Sequence, residues 1–515
     1  MYKKLIIAIY VSSICFSMDI YSGGRLTKHQ RNMDVKSYSI NLSVDTDNKA
    51  ISGFVDISFN IKDTTKTTIE VDLIESYSVE KVLLNNNSIR FNHRNNIIRI
   101  KTATLEPLNI IRIFYNGKPP AASNPPWDGG FTWETDSLGY PWVGISCQTN
   151  GAHIWFPCIE HPSDEADSAE IIITVDKPLV VGANGLLIDS TSTNNQTTWH
   201  WKTQNAISPY NINFTIGRFN VVEKTLPLYE QTLLQYFVLP EHEPGSDYII
   251  KEAEKYLHFY ESVFGPYPWS NEKFGMIETP YWGMEHQTII AYGNNYKVRE
   301  PGYDFLLLHE MGHEWWGNFI TVHDWADFWI HEGITIYAEA LFLEETFGKK
   351  AYHEFFQNTV RGKISNKKPI VPKRNATSFN VGGLDVYYKG AMMLHMLRYL
   401  EGKDVVLKIL TQLLYSKKEL PNNHTSTNEF IDIVNRMTGK DYHWFFNVYL
   451  RSKRLPKLIT KNRDGKKSIY WDNQSFKMPI EIKTSKGEII KHQPKKNKKV
   501  DAKEIDPNNW ILYRD

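Results

Sequence analysis

The residues best suited to chemistry lie in one short run and one glutamate downstream of it. His309, Glu310 and His313 belong to the sequence His-Glu-Met-Gly-His, and Glu332 follows nineteen residues after the second histidine. Two histidines four residues apart lie on one helix face and can bind the same metal ion. Together with a glutamate they form the ligand set of a catalytic zinc site that keeps one position for water. Glu310 lies about a hundred degrees round the helix from His309, where it can act on that water as a general base.

Two helices must position these residues. Three leucines at 306–308 favour a helix that leads into the motif, and Asp304 stands where an N-cap residue is expected. A second helical stretch begins near Asp327 and ends at Gly348, a residue typical of helix ends. A helix–turn–helix can therefore bring Glu332 back to the two histidines. The residues alone leave one alternative, a pair of core histidines on an amphipathic helix.

The composition is typical of a soluble globular protein with several domains. The chain has 515 residues, of which 41% are hydrophobic and 23% charged. At about 150 residues per domain, this length predicts about three domains. A formal net charge of +1 argues against a dedicated nucleic-acid-binding surface. Cys147 and Cys158 could form a disulfide in an oxidising compartment or stay as small buried apolar side chains.

The amino terminus is typical of a secretory signal at residues 1–17. Lys3 and Lys4 precede an apolar stretch at 5–16 that is too short to span a bilayer. We expect cleavage after Ser17, with a lipoprotein anchor on Cys15 as the alternative. No other stretch is long and apolar enough to cross a membrane. The mature protein is therefore predicted to be exported (periplasmic, extracellular or at the cell surface), without stable membrane insertion once the signal is removed.

Three regions follow the predicted signal. Residues 18–225 are predicted to form an all-β domain, because apolar and polar residues alternate through much of this region. From Ile249 the apolar period becomes helical, so residues 226–452 are predicted to form a mostly helical catalytic domain. Residues 453–515 are predicted to form a small β module with a hairpin turn at Asp464-Gly465, and its lysines are interpreted as a solvated surface. The predicted fold class is multidomain α+β.

Several separate segments match one known family in residue type and in order. They are Ser146-Cys147-Gln148, Trp155-Phe156-Pro157-Cys158, Trp282-Gly283-Met284-Glu285-His286, the run from His309 to Asn318 with Glu332 behind it, and Tyr387-Tyr388-Lys389-Gly390-Ala391. On these segments, which span most of the chain, the protein resembles the aminopeptidase N family of zinc peptidases, a family of gluzincins. The resemblance implies a β saddle domain followed by a thermolysin-like catalytic domain.

The resemblance also implies the catalytic residues. One zinc ion would be bound by His309, His313 and Glu332, with Glu310 as the general base. Tyr387 takes the position of the hydroxyl that stabilises the tetrahedral intermediate, which suits a hydrogen-bond donor beside a developing oxyanion.

Substrate-binding residues follow from the same resemblance. Glu285 matches the glutamate of the Gly-Ala-Met-Glu-Asn exopeptidase motif that binds the free α-amino group, with Gly283 and Met284 beside it. Gln148 matches a glutamine that lines the first specificity pocket. Glu339, seven residues after Glu332 and on the same helix face, could orient a metal ligand.

The sequence departs from the family pattern in two ways. Trp282 and His286 replace the first glycine and the asparagine of the exopeptidase motif, which puts the side-chain preference in doubt. His286 could still donate a hydrogen bond to the peptide backbone. Longer relatives carry a large helical domain after the β module. We expect this chain to lack that domain and to have a more open cleft that admits larger peptides.

The sequence therefore predicts an exported zinc aminopeptidase that acts on peptides with a free amino terminus. The alternatives are a zinc endopeptidase, an epoxide hydrolase on the same fold, or a peptide-binding protein that has lost catalysis. Glu285 argues against the endopeptidase, and the retention of every catalytic residue argues against the retired enzyme. Without the resemblance, Glu285 would be interpreted as a surface carboxylate and Tyr387 as a half-buried aromatic.

Overall fold

The computed structural model describes residues 20–381, 383–416, 423–463 and 466–514. The predicted signal at 1–17, including Cys15, and the predicted turn at 464–465 lie outside these residues. The described chain forms a β-rich amino-terminal region, a mainly helical central region and β sheets at its carboxyl end, which confirms the predicted α+β class. Within the described ranges, no helix has both the length and the apolarity that a bilayer crossing requires.

Alternating apolar residues build the sheets of the amino-terminal region. The strands are β1 Met33–Asp45, β2 Ala50–Ile61, β3 Thr68–Asp72, β4 Ser78–Leu84, β5 Asn87–Ser88, β6 Phe91–Arg94, β7 Ile97–Lys101, β8 Leu108–Gly117, β9 Gly130–Thr135, β10 Pro141–Ser146, β11 Ser168–Asp176, β12 Val180–Ala183, β13 Leu186–Ser192, β14 Gln196–Thr203 and β15 Phe214–Gly217. An eight-stranded sheet has the order β13-β14-β11-β1-β2-β8-β4-β5, with β1 parallel to β11. Tyr38, Ile40 and Leu42 of β1 are fully buried, as their period predicts.

Two smaller sheets, β12-β15-β10-β9 and β3-β7-β6, complete this region. Cys147, directly after β10, and Cys158 are both buried free thiols. Of the two readings of this cysteine pair, the structure therefore supports the small buried side chains and not the disulfide.

The central region combines a mixed sheet with helices. Its strands are β16 Asn220–Pro227, β17 Gln231–Val238, β18 Phe274–Glu278, β19 Gly283–Met284, β20 Ile290–Tyr292, β21 Thr321–Val322 and β22 His424–Thr425. Its helices are α1 Ser246–Phe264, α2 Phe305–Gly312, α3 Trp329–Phe347, α4 Lys349–Glu354, α5 Ser378–Val381, α6 Asp385–Glu401, α7 Lys403–Tyr415, α8 Thr427–Thr438 and α9 His443–Tyr449. The five-stranded sheet has the order β16-β17-β18-β20-β19, so the predicted boundary at 225–226 falls within β16.

Short antiparallel strands form the carboxyl-terminal sheets. They are β23 Leu458–Arg463, β24 Lys466–Trp471, β25 Ile480–Lys483, β26 Ile489–His492, β27 Lys499–Val500 and β28 Glu504–Ile505. They pair in two three-stranded sheets, β23-β24-β27 and β26-β25-β28. The antiparallel pairing of β23 with β24 is the arrangement that a hairpin requires.

Candidate active site

Helix α2 is anchored at its amino end by Asp304. The Asp304 carboxylate accepts a hydrogen bond from the Leu307 backbone N–H at 3.1 Å, which confirms the predicted N-cap. The same carboxylate accepts from the Tyr292 hydroxyl at 2.6 Å and from the Asn294 side chain at 2.8 Å. The helix start is therefore tied to strand β20, which fixes where the following turns, including His309, lie.

Three buried ligand atoms converge at the end of this helix. Nε2 of His309 and Nε2 of His313 are 3.3 Å apart. Oε2 of Glu332, from α3, lies 3.5 Å from the first nitrogen and 3.4 Å from the second. The helix–turn–helix thus returns Glu332 to the histidines as the sequence predicts.

The geometry of these three atoms fits one zinc ion. Ligand atoms about 2.0–2.1 Å from a tetrahedral metal centre lie about 3.3 Å from one another, which is close to the observed separations. Oε2 of Glu332 is buried and has no hydrogen-bond partner among the described residues. A buried carboxylate oxygen in that state is costly unless a cation or a donor satisfies it. The carboxylates of Glu285 and Glu310 lie close to His313 as well, so negative charge is concentrated around the centre.

Each histidine is oriented by its other ring nitrogen. Nδ1 of His309 donates to Oε1 of Glu339 at 2.8 Å, and Nδ1 of His313 donates to the Trp316 carbonyl at 2.9 Å. With Nδ1 protonated, a neutral imidazole presents the lone pair of Nε2 to the metal. The predicted contact of Glu339 with a ligand is therefore confirmed.

Close packing of α3 on α6 brings a tyrosine to the same centre. A Cβ atom on Gly333 would lie 2.9 Å from the Cα atom of Gly390, so the two helix backbones touch. Tyr387, one turn before Gly390, stacks on His309 with ring centroids 6.2 Å apart. Burial and the nearby carboxylate of Glu332 raise the pKa of its hydroxyl well above the usual value, so it stays protonated and can donate.

Glu310 faces strand β19 across the cleft. A Cβ atom on Gly283 would lie 2.7 Å from Oε1 of Glu310 and would also meet Leu306, so only a residue without a side chain leaves this gap. Burial raises the pKa of the Glu310 carboxyl to about 8, against the opposing effect of His309 and His313. A cation at the centre would favour the ionised carboxylate that a general base requires.

The residues predicted to bind the amino terminus lie next to the metal centre. Glu285 is buried, with a relative exposure of 3%, and its carboxylate accepts a hydrogen bond from the Gln148 side-chain amide. Its backbone carbonyl accepts from the Asn318 side chain at 3.0 Å. Gln148, Gly283 and Met284 line the same cleft as the three predicted metal ligands, Glu310 and Tyr387. Glu285 is thus no surface carboxylate.

Some cleft residues were not predicted from the sequence. Phe305 lines the cleft one turn before His309, and helical spacing alone could have identified it. Trp127 reaches the cleft from the loop between β8 and β9, and no local signal marks it. His286 is buried, with its pKa lowered to about 3 by burial, and it is not among the described residues that line the cleft. The predicted contact of His286 with a peptide backbone therefore finds no support.

Comparison with known proteins assigns the family. Residues 248–449 match the Peptidase family M1 domain, and residues 35–211 match the Peptidase M1 N-terminal domain. The chain belongs to peptidase family M1, which confirms the resemblance to gluzincin aminopeptidases. The donor set described above fits the zinc ion for which related M1 peptidases are named.

Individual relatives are distant and mostly longer. Leucine aminopeptidase 2 of Vanderwaltozyma polyspora is 25% identical over 63% of this chain and 49% of its own length. Leukotriene A-4 hydrolase of Xenopus laevis is 24% identical over 53% of this chain and 46% of its own length. The chain thus spans about half the length of these curated relatives.

One solved structure is similar over nearly its whole length. The M1 zinc metallopeptidase of Deinococcus radiodurans has a TM-score of 0.69 at 21% identity, and the match covers 84% of this chain and 96% of that one. At this identity, the likeness shows the shared fold.

Proposed function

We propose that the protein is a zinc aminopeptidase that hydrolyses the first peptide bond of peptides with a free amino terminus. The observation that carries this proposal is the position of Glu285. Its buried carboxylate lies beside the three convergent metal ligands and within the same cleft as Glu310. A buried carboxylate next to the metal ligands suits the α-ammonium group of a substrate whose first peptide bond lies at the metal. Family relatives named as aminopeptidases support the same reading.

The side chains of the cleft divide the reaction among them. Glu310 accepts the proton of the attacking water at its carboxylate and passes it to the leaving amine. The hydroxyl of Tyr387 donates a hydrogen bond to the oxyanion that forms on the scissile carbonyl. Glu285 accepts hydrogen bonds from the α-ammonium group, which sets the cleavage position one residue from the end. A bound zinc ion supplies Lewis acidity toward the water and the carbonyl.

Paired peptides with and without a free amino group test this assignment. We expect the wild type to cleave Ala-Gly-Ala but not its N-acetylated form, and Glu285→Gln to raise KM for the free peptide by about tenfold or more. Glu272→Gln is a matched control, since Glu272 is a buried glutamate that binds Thr203 and does not line the described cleft. Equal cleavage of free and acetylated peptides would favour an endopeptidase and contradict the proposal.

We also propose that the protein is exported by the signal predicted at residues 1–17. The support is the sequence itself, a pair of lysines before a short apolar stretch. Mass spectrometry of the mature amino terminus tests this proposal. A mature protein that begins at Met18 is expected, a lipid-modified Cys15 would point to the anchored form, and an intact Met1 would contradict export.

A further inference from the structure

A run of aromatic rings leads outward from the metal centre. The ring of Phe305 stacks on His309 with centroids 5.6 Å apart, Trp282 stacks on Phe305 at 5.9 Å, and Trp127 lies against Trp282 at 5.8 Å. Phe305 is buried, whereas Trp282 and Trp127 are 36% and 51% exposed. We call Phe305, Trp282 and Trp127 the aromatic strip.

Two parts of the fold hold the strip in place. Trp282 directly precedes β19 in the central sheet, and Phe305 is the first residue of α2. Trp127 is held from the amino-terminal region, because the Thr149 hydroxyl donates to its carbonyl at 2.8 Å. Two indole rings are thus kept partly exposed at the cleft, where each could gain contact area from a ligand.

The order of residues along β19 shows which side of the scissile bond the strip faces. This step depends on the function proposed above, in which Glu285 holds the substrate's amino terminus. Gly283 lies against Glu310, the general base, so the bond to be broken passes Gly283. Because β19 is extended, Trp282 on the amino side of Gly283 and Glu285 on the carboxyl side of Met284 are carried apart along the cleft. The strip therefore faces the residue that follows the scissile bond.

The chemistry of this end of the cleft is apolar. Among the described residues that line the cleft, the carboxylate and imidazole side chains are Glu285, His309, Glu310, His313 and Glu332, and none belongs to the strip. A charged group on the strip comes from outside this lining, the Arg299 guanidinium at 3.6 Å from the centroid of the Phe305 ring. Indole faces bind other rings and aliphatic side chains by stacking and by burial of apolar area. A glycine at this position of the peptide would leave both tryptophans in water.

We propose that the aromatic strip is a specificity site for a large aromatic or aliphatic side chain at the first residue after the scissile bond. The replacement of the family's first motif glycine by Trp282 is what creates this site. A peptide with phenylalanine at its second position, such as Ala-Phe-Ala, is therefore preferred to one with glycine there, such as Ala-Gly-Ala. This preference does not depend on which amino-terminal residue is removed.

Binding to an inactive protein tests the site without relying on turnover. In zinc-loaded Glu310→Gln protein, we expect calorimetry to give a Kd for Ala-Phe-Ala about tenfold lower than for Ala-Gly-Ala. Adding Trp282→Gly should reduce this ratio to about twofold or less, whereas Trp282→Phe should keep most of it. Tyr229→Ala, a control that removes an exposed aromatic between β16 and β17, should leave the ratio unchanged.

Kinetics on the active protein give a second measurement of the same ratio. The ratio of kcat/KM for Ala-Phe-Ala to that for Ala-Gly-Ala reports the preference for the second residue, and it should fall in Trp282→Gly. The ratio for Phe-Gly-Ala to Ala-Gly-Ala reports the preference for the first residue, and it should not change. Trp127→Ala removes the outer end of the strip and serves if Trp282→Gly does not fold, with an expected loss of about threefold.

The outcomes separate this inference from the proposed function. If the wild type hydrolyses neither peptide but the binding preference is present, the proposed function fails and the strip's apolar preference stands. The inference is wrong if the wild type hydrolyses Ala-Phe-Ala and Ala-Gly-Ala equally well. It is also wrong if Trp282→Gly keeps the wild-type ratio of kcat/KM for these two peptides. A preference for aspartate, drawn by Arg299 over the Phe305 ring, would also overturn it.

Discussion

Two of the three buried glutamates of helix α3 have opposite surroundings, Glu332 in its first turn and Glu344 in its last. Glu344 is fully paired, because its oxygens accept from Arg398 of α6 at 2.6 and 2.8 Å and Lys403 of α7 lies 3.0 Å away. Oε2 of Glu332 faces two histidine nitrogens and accepts no hydrogen bond from the described residues.

The difference distinguishes two roles of a buried carboxylate. A carboxylate that the chain itself pairs with arginine holds elements together, and removing one partner is strongly destabilising. A carboxylate left without a donor costs stability in the metal-free protein and is expected to bind a cation. Burial alone therefore does not identify a metal site; at Glu332 the site is identified by an unsatisfied carboxylate oxygen that faces two histidine nitrogens. Substitutions at the two ends of α3 should have separable effects.

The largest expected effect belongs to the buried Glu310 of α2, which is neither a metal ligand nor paired with an arginine of the described chain. Glu310→Gln should lower kcat on alanine p-nitroanilide by about a thousandfold, because the attacking water loses its proton acceptor. Folding and zinc content should be unchanged, since Glu310 is not one of the three ligands. Glu344→Gln, the control, should keep its kcat. Turnover by Glu310→Gln within tenfold of the wild type would contradict the mechanism.

The second effect is on stability and concerns Glu344. Glu344→Gln should lower the free energy of unfolding of the metal-free protein by about 3 kcal/mol, because Arg398 loses its buried partner. Glu332→Gln should lower that free energy less, because Glu332 has no arginine or lysine partner in the described part of the chain and only the imidazoles of His309 and His313 face its carboxylate, at 3.5 and 3.4 Å. Thermal and urea unfolding of both variants measure the difference. Equal destabilisation by the two substitutions would show that the two glutamates play the same structural role.

The stability effect of Glu344 also depends on pH in a defined direction. Burial acts to raise the pKa of Glu344, but Arg398 and Lys403 outweigh it and lower the pKa from 4.5 to about 2. A carboxylate with a lowered pKa contributes fully above pH 4.5, and its contribution is lost as the pH falls through 2. The difference in stability between the wild type and Glu344→Gln should therefore shrink as the pH falls below 4.5 and vanish near pH 2.

The smallest effect is expected at Glu339, which contacts a ligand but not the centre. Glu339→Ala should weaken zinc binding by about 10- to 100-fold, because His309 loses the acceptor that fixes its ring. Glu339→Gln should retain more affinity, since its amide oxygen can still accept from Nδ1. Competition with a zinc chelator measures both values, and wild-type affinity in Glu339→Ala would argue against an orienting role.

Much of the site could be predicted because its signals are local. The spacing of His309 and His313, the cap at Asp304 and the end of α3 at Gly348 depend on residues within a few positions of one another. The alternating strands of the amino-terminal region follow the same logic. In these cases, the spacing of apolar residues and the capping residues predict the element and its buried face without reference to distant parts of the chain.

The remaining features depend on contacts between distant parts of the chain. The backbone contact of Gly333 with Gly390 and the ring contact of Trp127 with Trp282 join residues whose own neighbours give no hint of the partner. Strand β18 follows helix α1 in the region predicted to be mostly helical, and its parallel pairing with β17 and β20 stabilises it as a strand. Position in the folded chain, and not local pattern, determines these features.

Zinc content tests the central claim most directly. Wild type, Glu332→Gln and Glu344→Gln are dialysed against the same buffered zinc solution, and bound metal per chain is measured by plasma mass spectrometry. The account predicts about one ion in the wild type and in Glu344→Gln, and less than about a tenth of an ion in Glu332→Gln. A full zinc ion in Glu332→Gln, or none in the wild type, would contradict it.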